Sequence, residues 1–399
     1  MSKEVIIIGA GASGRGHMGQ LAFESEYELT FLEKNKELTD ILKARGAYTV
    51  HLAGGNAVTD REITGFNIFH VGEKDKFYSY FKNCPLIFTT VVAVNLSEVG
   101  NYLRPLVVKW LKESSKNEYK NIMCCENMNE SGKYLKKVIF EDFPEELKAG
   151  FESRIGFPDT MIARVVTTPK YPYLELLGEE YSEWTADKTT FRGPELPQIK
   201  TLQLVEDQER YLKRKLYIHN TGHATFGYLG FLKGHKYIHE AAQDESIMNV
   251  CRKAIEESGW AIQKEYGFSE AIISAYRNAL TDKCPNAVIP DEITRVVRDP
   301  LRKLGKDERF IGPLSLMLKH GRKPHYLLYG ICAALLGEIP GDKDSETIKN
   351  YMAKSEIKEL FKSIGVVLEP AVLNDIINLF PVVRKEFGKR FSVMKLDSK

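Results

Sequence analysis

The stretch IIIGAGASGRGHMG, residues 6–19, decides the fold of the N-terminal half. An apolar, β-branched run, EVIII (4–8), breaks directly into Gly9, Gly11, Gly14, Gly16 and Gly19. Gly9-Ala10-Gly11-Ala12-Ser13-Gly14 fits the G-x-G-x-x-G spacing. The first glycine allows a tight turn off a strand, the second lets a pyrophosphate approach the backbone, and the third lets a helix pack on the strand. The residues from Gly14 to Glu26 can form that helix, and its N-terminal N–H groups suit phosphate. The context points to a dinucleotide, with Gly9, Ala10, Gly11, Gly14, Arg15 and Gly16 as cofactor-binding residues. A second strand, ELTFLE (28–33), ends in Glu33. An acid there accepts a hydrogen bond from a ribose 2′-OH and repels a 2′-phosphate, which favours NAD over NADP. Lys34, next in the chain, softens that preference. Thr90, in the apolar run PLIFTTV (85–91), is a further cofactor candidate.

Outward from this motif the chain alternates. KELTDILKARG (36–46) reads as a helix closed by Gly46, YTVHLA (48–53) as a further strand, SEVGNYLRPLVVKWLKES (97–114) as a helix, and NIMCCEN (121–127) as a strand ending in polar groups. A βαβ rhythm of this kind argues for a parallel sheet covered by helices. From about residue 205 strand signals nearly vanish. QERYLKRKLYIHNTGHATFGYLGFLKG, MNVCRKAIEESGWAIQKEYG, SEAIISAYRNALTD, PHYLLYGICAALLGE and SETIKNYMAKSEIKELFKSIG all read as helical. The expected fold class is an α/β N-terminal Rossmann-type domain with a parallel-rich sheet, residues 1–204, followed by an all-α C-terminal domain, residues 205–399. The loop RGPELPQIK (192–200) lies just before the boundary.

The bulk numbers agree with this picture. The chain has 399 residues, is 43% hydrophobic and 28% charged, and carries a formal net charge of +2, so it is long enough for two cores and has no electrostatic case for nucleic acid as a partner. No run of 18 apolar residues marks a membrane span, and MSKEVIIIGAG lacks the features of a signal peptide. The six cysteines show no CxxC spacing and read as buried reduced thiols. A cytoplasmic location is expected.

Hydride transfer needs a group for the alcohol proton and donors for the developing oxyanion. KLYIHNTGH (215–223) carries Lys215, Asn220 and His223 on a presumptive helix. On a regular helix they span an arc of roughly 140°, which suits either a cleft at one end of the helix or a solvated polar face. A desolvated lysine can act as a base near neutral pH. His235 and His239 in HKYIHE stand at i,i+4 but lack a third metal ligand, so no metal is expected.

Across nearly its whole length the chain resembles the polyol-specific long-chain dehydrogenases, the mannitol dehydrogenase family. The resemblance is carried by IIIGAGASGRG, by the K-x4-N-x2-H pattern of Lys215, Asn220 and His223, by Asn127 in CCENM, by GFPDTMIARVV (156–166), by SEW (182–184) and by DKTTFRG (187–193). RVVRDPLRKLGKDERFIGP (295–313) resembles the sugar-phosphate branch in particular. The chain departs from the family at Ala93, and TTPKYPYLELLGEEYSEW (167–184) fits it loosely. The resemblance implies NAD-dependent interconversion of mannitol 1-phosphate and fructose 6-phosphate without a metal. It implies Lys215 as general acid/base, Asn127 and Asn220 as oxyanion donors, and His223 as a group that hydrogen-bonds the substrate or orients the oxygen. Arg298, Arg302 and Lys303 are the candidates for the substrate phosphate, because arginine pairs bidentately with phosphate. The expected state is a monomer, with a dimer open. Two alternatives stand: a family member acting on an unphosphorylated polyol or hexuronate, and a silent NAD-binding sensor, against which the intact polar set speaks.

Overall fold

A computed structural model of the chain describes residues 3–54, 57–128, 130–167 and 173–388. It divides into two compact units, Met1–Tyr211 and Leu212–Lys399. In the first lie β1 (Glu4–Ile8), β2 (Glu28–Glu33), β3 (Ala47–Gly54), β4 (Ala57–Thr64), β5 (Asn67–His70), β6 (Leu86–Thr89), β7 (Lys120–Cys124), β8 (Ile155–Gly156), β9 (Thr160–Ala163), β10 (Glu175–Glu179), β11 (Glu183–Asp187) and β12 (Leu202–Val205).

Six of these form a sheet in the order β5-β2-β1-β6-β7-β8, parallel throughout. Strand β1 sits inside it, and both its faces are covered. Val5 and Ile7 enter one core with Leu29, Phe31, Leu86 and Phe88, while Ile6 and Ile8 enter the other with Ile87, Leu103, Trp110 and Ile122. Double burial explains why β1 is a continuous apolar run rather than an alternating one. From β1 the chain builds outward to β2 and β5, then returns to the other side of β1 with β6. The order therefore reverses between β1 and β6, and ligands bind outside the carboxyl ends of the strands at such a point.

The YTVHLA strand is not in this sheet. Strand β3 pairs antiparallel with β4 and parallel with β10. Its Tyr48, Val50 and Leu52 are buried while the alternate residues are half-exposed, a period-two pattern that suits one covered face rather than two. A third sheet, β12-β11-β9, was not marked by any sequence signal used above.

Among the described residues of the second unit the extended pairing is confined to a bridge between Tyr237 and Glu292. The helix Asn220–Lys233 lies at its centre, packed by Ile238–Gln243, Glu245–Tyr266, Ile293–Val296 and Tyr326–Leu336. A Cβ on Gly222 would lie 2.5 Å from Leu280 and one on Gly227 2.8 Å from Val296, so glycine sets how closely the neighbours approach. The 345–365 stretch is two helices, Lys343–Ala353 and Ile357–Ser363, broken where Ser355 turns at φ +58°. Pro370–Phe387 adds a helix that the sequence reading passed over. Among the described residues no helix is long and apolar enough to cross a membrane.

One buried charge is structural. Lys120 is 1% exposed. Its Nζ donates to the carbonyls of Phe81 (2.6 Å), Lys82 (3.2 Å) and Cys84 (2.7 Å), between the rings of Phe81 and Trp110. It thus closes the carboxyl end of the helix Lys74–Asn83, where cations are favoured. Lys120→Met should lower the unfolding free energy by about 2–4 kcal/mol, because buried carbonyls lose their donor. A lower urea midpoint in circular dichroism is the expected result, and an unchanged midpoint would deny the ammonium this role.

Candidate functional site

At the switch point β1 ends in the glycine turn. Gly9 takes φ +97°, and a Cβ there would lie 2.7 Å from the Thr90 carbonyl. A Cβ on Gly14 would lie 1.9 Å from the Gly9 carbonyl. Gly11 differs, since a Cβ there would meet nothing within 4 Å. The chain is helical from Ala12 to Glu24, and Gly11, the residue before it, has no side chain with which to cap it. An open backbone at Gly11 beside an uncapped helix start is the cradle a pyrophosphate requires, so the residues present fit a dinucleotide.

Around this cradle the named cofactor residues have distinct surroundings. Glu33 accepts from Ala10 N (2.7 Å) and Asn35 N (2.8 Å), which fixes its carboxylate at the end of β2. Lys34 is drawn away to Glu98 at 3.1 Å. Thr90 Oγ1 donates to the Gly9 carbonyl at 2.7 Å and buttresses the turn. Gly16 packs on Val166. Arg15 is fully buried. Its Nε donates to the Ala10 carbonyl (2.6 Å), one Nη to the Tyr173 carbonyl, and the other Nη finds no partner among the described residues. Burial pulls the Arg15 pKa down to about 10. Its guanidinium therefore braces the turn from inside. Residues 168–172 of the TTPKYPYLELLGEEYSEW stretch lie outside the described residues.

Asn127 is exposed just past the end of β7. Beside it sits a residue that the sequence reading missed. Glu126 is buried and accepts from Thr89 Oγ1 (2.8 Å) and Val91 N (3.0 Å), joining the turns after β6 and β7. Burial raises its carboxyl. The available signal was a lone acid closing an apolar strand, MCCEN. Burial and Glu126 also push the Cys124 and Cys125 thiols well up, and all six cysteines are buried and outside any disulfide.

In the second unit the K-x4-N spacing has a structural cause. Residues Lys215–His219 form an i→i+5 turn, and Asn220 N–H donates to the Lys215 carbonyl. Such π-turns wind more slowly than an α-helix, so residues five apart lie nearer to one face, and they recur at functional sites. The turn narrows the arc between Lys215 and Asn220 from that of a regular helix. The turn is anchored by Tyr217, whose hydroxyl donates to the Asp307 carbonyl (3.3 Å), and by Thr221, whose hydroxyl donates to the Arg309 carbonyl. His223 Nε2 lies 2.8 Å from Asp291 Oδ2, and Arg295 grips the same carboxylate. Neither Asp291 nor Arg295 was singled out in the sequence. His219 is a second omission. Its ring nitrogens are shut off from solvent, and burial, Lys283, His223 and Lys215 together hold its pKa well down.

The basic segment is less open than its sequence suggests. Lys303 is 5% exposed, and its Nζ donates to the carbonyls of Val296 and Arg298. Burial brings its pKa to about 7. Arg302 stands between Asp299 (3.6 Å) and Glu308 (3.4 Å), and Arg298 is exposed. The start of the helix after His325 is occupied by Glu257, which accepts from His325 N and Leu327 N at 2.9 Å. His235 lies 3.4 Å from Asp244, and His239 stacks on Tyr237. Among the described residues no group of three His, Cys, Asp or Glu side chains is placed to hold a metal ion.

A family model described as the mannitol dehydrogenase Rossmann domain matches residues 3–200, and one described as the mannitol dehydrogenase C-terminal domain matches residues 207–368. The mannitol-1-phosphate 5-dehydrogenase of Caldanaerobacter subterraneus subsp. tengcongensis is 32% identical over 392 residues, covering 97% of each chain. That of Thermoanaerobacter pseudethanolicus is 32% identical over 394 residues, covering 97% of this chain and 100% of its own. Among solved structures, substrate-free D-sorbitol dehydrogenase superposes with a TM-score of 0.80 at 15% identity, covering 96% of this chain and 94% of its own. The ternary complex of Pseudomonas fluorescens mannitol 2-dehydrogenase with NAD and D-mannitol gives a TM-score of 0.71 at 15% identity, covering 99% and 94%. At that identity the structures speak for the fold.

Two glycine variants separate fold from ligand. Gly11→Ala should leave the melting temperature unchanged yet weaken NADH binding at least about tenfold, or 1.4 kcal/mol, in a fluorescence titration. Gly14→Ala should destabilise the unit outright. Full NADH affinity in Gly11→Ala would place the phosphates elsewhere.

Proposed function

The chain belongs to the mannitol dehydrogenase family, and from that premise we propose that it is an NAD-dependent dehydrogenase interconverting D-mannitol 1-phosphate and D-fructose 6-phosphate. Residues 1–204 hold the cofactor and residues 205–399 supply the substrate and catalytic groups. When bound, the nicotinamide accepts or returns the hydride. The glycine turn from Gly9 to Gly16 holds the pyrophosphate, with Arg15 and Thr90 stiffening it from behind. Glu33 takes the ribose hydroxyl, and its charge disfavours a 2′-phosphate.

The observation that supports the reading is the i→i+5 turn in which Asn220 N–H donates to the Lys215 carbonyl. A proton acceptor and an amide donor then address one substrate oxygen. Lys215 Nζ takes the hydroxyl proton during oxidation and returns it during reduction. The amide N–H group of Asn220 donates to that oxygen as negative charge develops, and Asn127 takes the oxyanion-donor role that the family resemblance implies. His223 hydrogen-bonds the substrate and limits how it turns. Arg298 and Arg302 meet the phosphate, while Lys303 supports their loop from beneath. The protein acts in the cytoplasm as a monomer, on a small sugar or polyol phosphate.

A second reading, a family member using an unphosphorylated polyol or hexuronate, draws on one observation. Lys303 already spends its ammonium on two carbonyls, and Arg302 is flanked by two carboxylates.

Loss of NADH absorbance with fructose 6-phosphate and with fructose, side by side, decides between them. Strong turnover of the phosphate alone is expected, and turnover of fructose alone would favour the second reading. Lys215→Ala should bind NADH normally and lose about 10²–10⁴-fold in kcat, the usual worth of a general base. Retention of near-normal rates would remove Lys215 from proton transfer.

A further inference from the structure

His223 has two ring nitrogens, and the one it offers to a substrate depends on what holds the other. Nε2 lies 2.8 Å from Asp291 Oδ2. Asp291 is 13% exposed and is braced from two directions. Arg295 donates from Nε (2.9 Å) and Nη2 (2.7 Å) to Oδ1, and from Nη2 (2.8 Å) to Oδ2. Its backbone is also fixed, since Ile238 N donates to the Asp291 carbonyl and Ile293 N to the Lys236 carbonyl, both at 2.9 Å. Against the upward push of burial, His223 and Arg295 keep the Asp291 carboxyl below its usual range. An ionised carboxylate accepts and cannot donate. A neutral His223 must therefore carry its proton on Nε2, which leaves the lone pair on Nδ1.

We propose that Asp291, braced by Arg295, is a positioning residue that fixes this tautomer, so that His223 meets the substrate with Nδ1 as an acceptor. The inference rests on the reading that places His223 at the substrate. A lone pair repels a developing oxyanion, so Nδ1 does not serve the reacting oxygen, which the asparagine amides address. It accepts from a hydroxyl on a carbon next to the reacting one. The site then selects a polyol or ketose over a simple secondary alcohol or ketone, because a substrate without that hydroxyl leaves Nδ1 unpaired.

Two measurements test this. The first is ¹⁵N NMR of the histidine rings in the whole chain, with the His223 signals identified by their absence in His223→Ala. At a pH where the ring is neutral, a protonated Nε2 and a bare Nδ1 are expected. A protonated Nδ1 overturns the proposal, whatever substrate the enzyme uses. The second is a double-mutant cycle with NADH and the ketose or polyol that the wild type turns over. Asp291→Asn should lower kcat/KM about 10- to 100-fold, as lost orienting partners do elsewhere, chiefly through KM. In the His223→Ala background the same change should cost nothing more. An equal loss in both backgrounds makes Asp291 merely structural and overturns the positioning role. Arg295→Gln, at a mostly exposed position, gives a smaller loss with the same dependence on His223 and serves if Asp291→Asn folds poorly. Ketose analogues lacking one or the other hydroxyl flanking the carbonyl complete the test. One of them should be turned over equally by wild type and His223→Ala, and a full wild-type advantage on both overturns the acceptor role. Absence of turnover with every polyol and ketose would instead sink the proposed function, while the NMR result would still judge the tautomer.

Discussion

The backbone of Gly14 rests on the backbone of Gly9, with no room for a methyl group between them. Everything around the cofactor cradle depends on that contact. It brings the start of a helix directly onto the end of the strand that the two cores enclose. Thr90 then reaches the Gly9 carbonyl from β6, and Glu33 reaches Ala10 N from β2. Three strand ends are thereby tied to one turn. Gly11 alone of the three motif glycines keeps open space on its Cβ side, so the constraint that closes the turn also leaves the face a phosphate can approach.

Buried charge is used repeatedly to fasten segments. Arg15, Lys120 and Lys303 each spend their N–H groups on backbone carbonyls, and Glu126 takes one backbone N–H and one hydroxyl. A buried ion without partners costs several kcal/mol. Each of these groups is held by segments distant in sequence or by a neighbouring loop, and removing either side would strand the other. The same economy governs the basic segment at 298–309. Its positive charges are matched inside the unit by Asp299, Glu308 and carbonyl oxygens, so local sequence overstates how much free charge it presents.

The helical unit organises its polar groups differently. The helix Asn220–Lys233 is buried over most of its surface, and such a helix cannot easily turn to present a new face. The extra residue in the turn before it does that work. It narrows the arc between Lys215 and Asn220 while Tyr217 and Thr221 are pinned to the 307–309 segment. His223 lies one turn further on and is fixed from outside the helix by Asp291. Positions on one helix are thus set by carbonyls and carboxylates far away in the chain.

The sequence by itself determined the cofactor half. Double burial requires a continuous apolar strand, and the tight turn and close packing require glycine at Gly9 and Gly14. These are local demands, written where they act. It also marked Lys215, Asn220 and His223 as a spaced set, and the helical character of the second unit, through 3.6-residue periodicity. Only the tertiary structure decided the rest. Strand β3 left the parallel sheet because its partners, β4 and β10, lie on either side of it in a different sheet. The i→i+5 turn escaped a helical wheel because one inserted residue changes the phase without changing composition. Lys303 turned inward because carbonyls of its own segment converge on it. Glu126, Asp291 and Arg295 gained their roles from side chains and backbone groups brought to them by the fold, and a partner that arrives through folding leaves no spacing in the sequence to read.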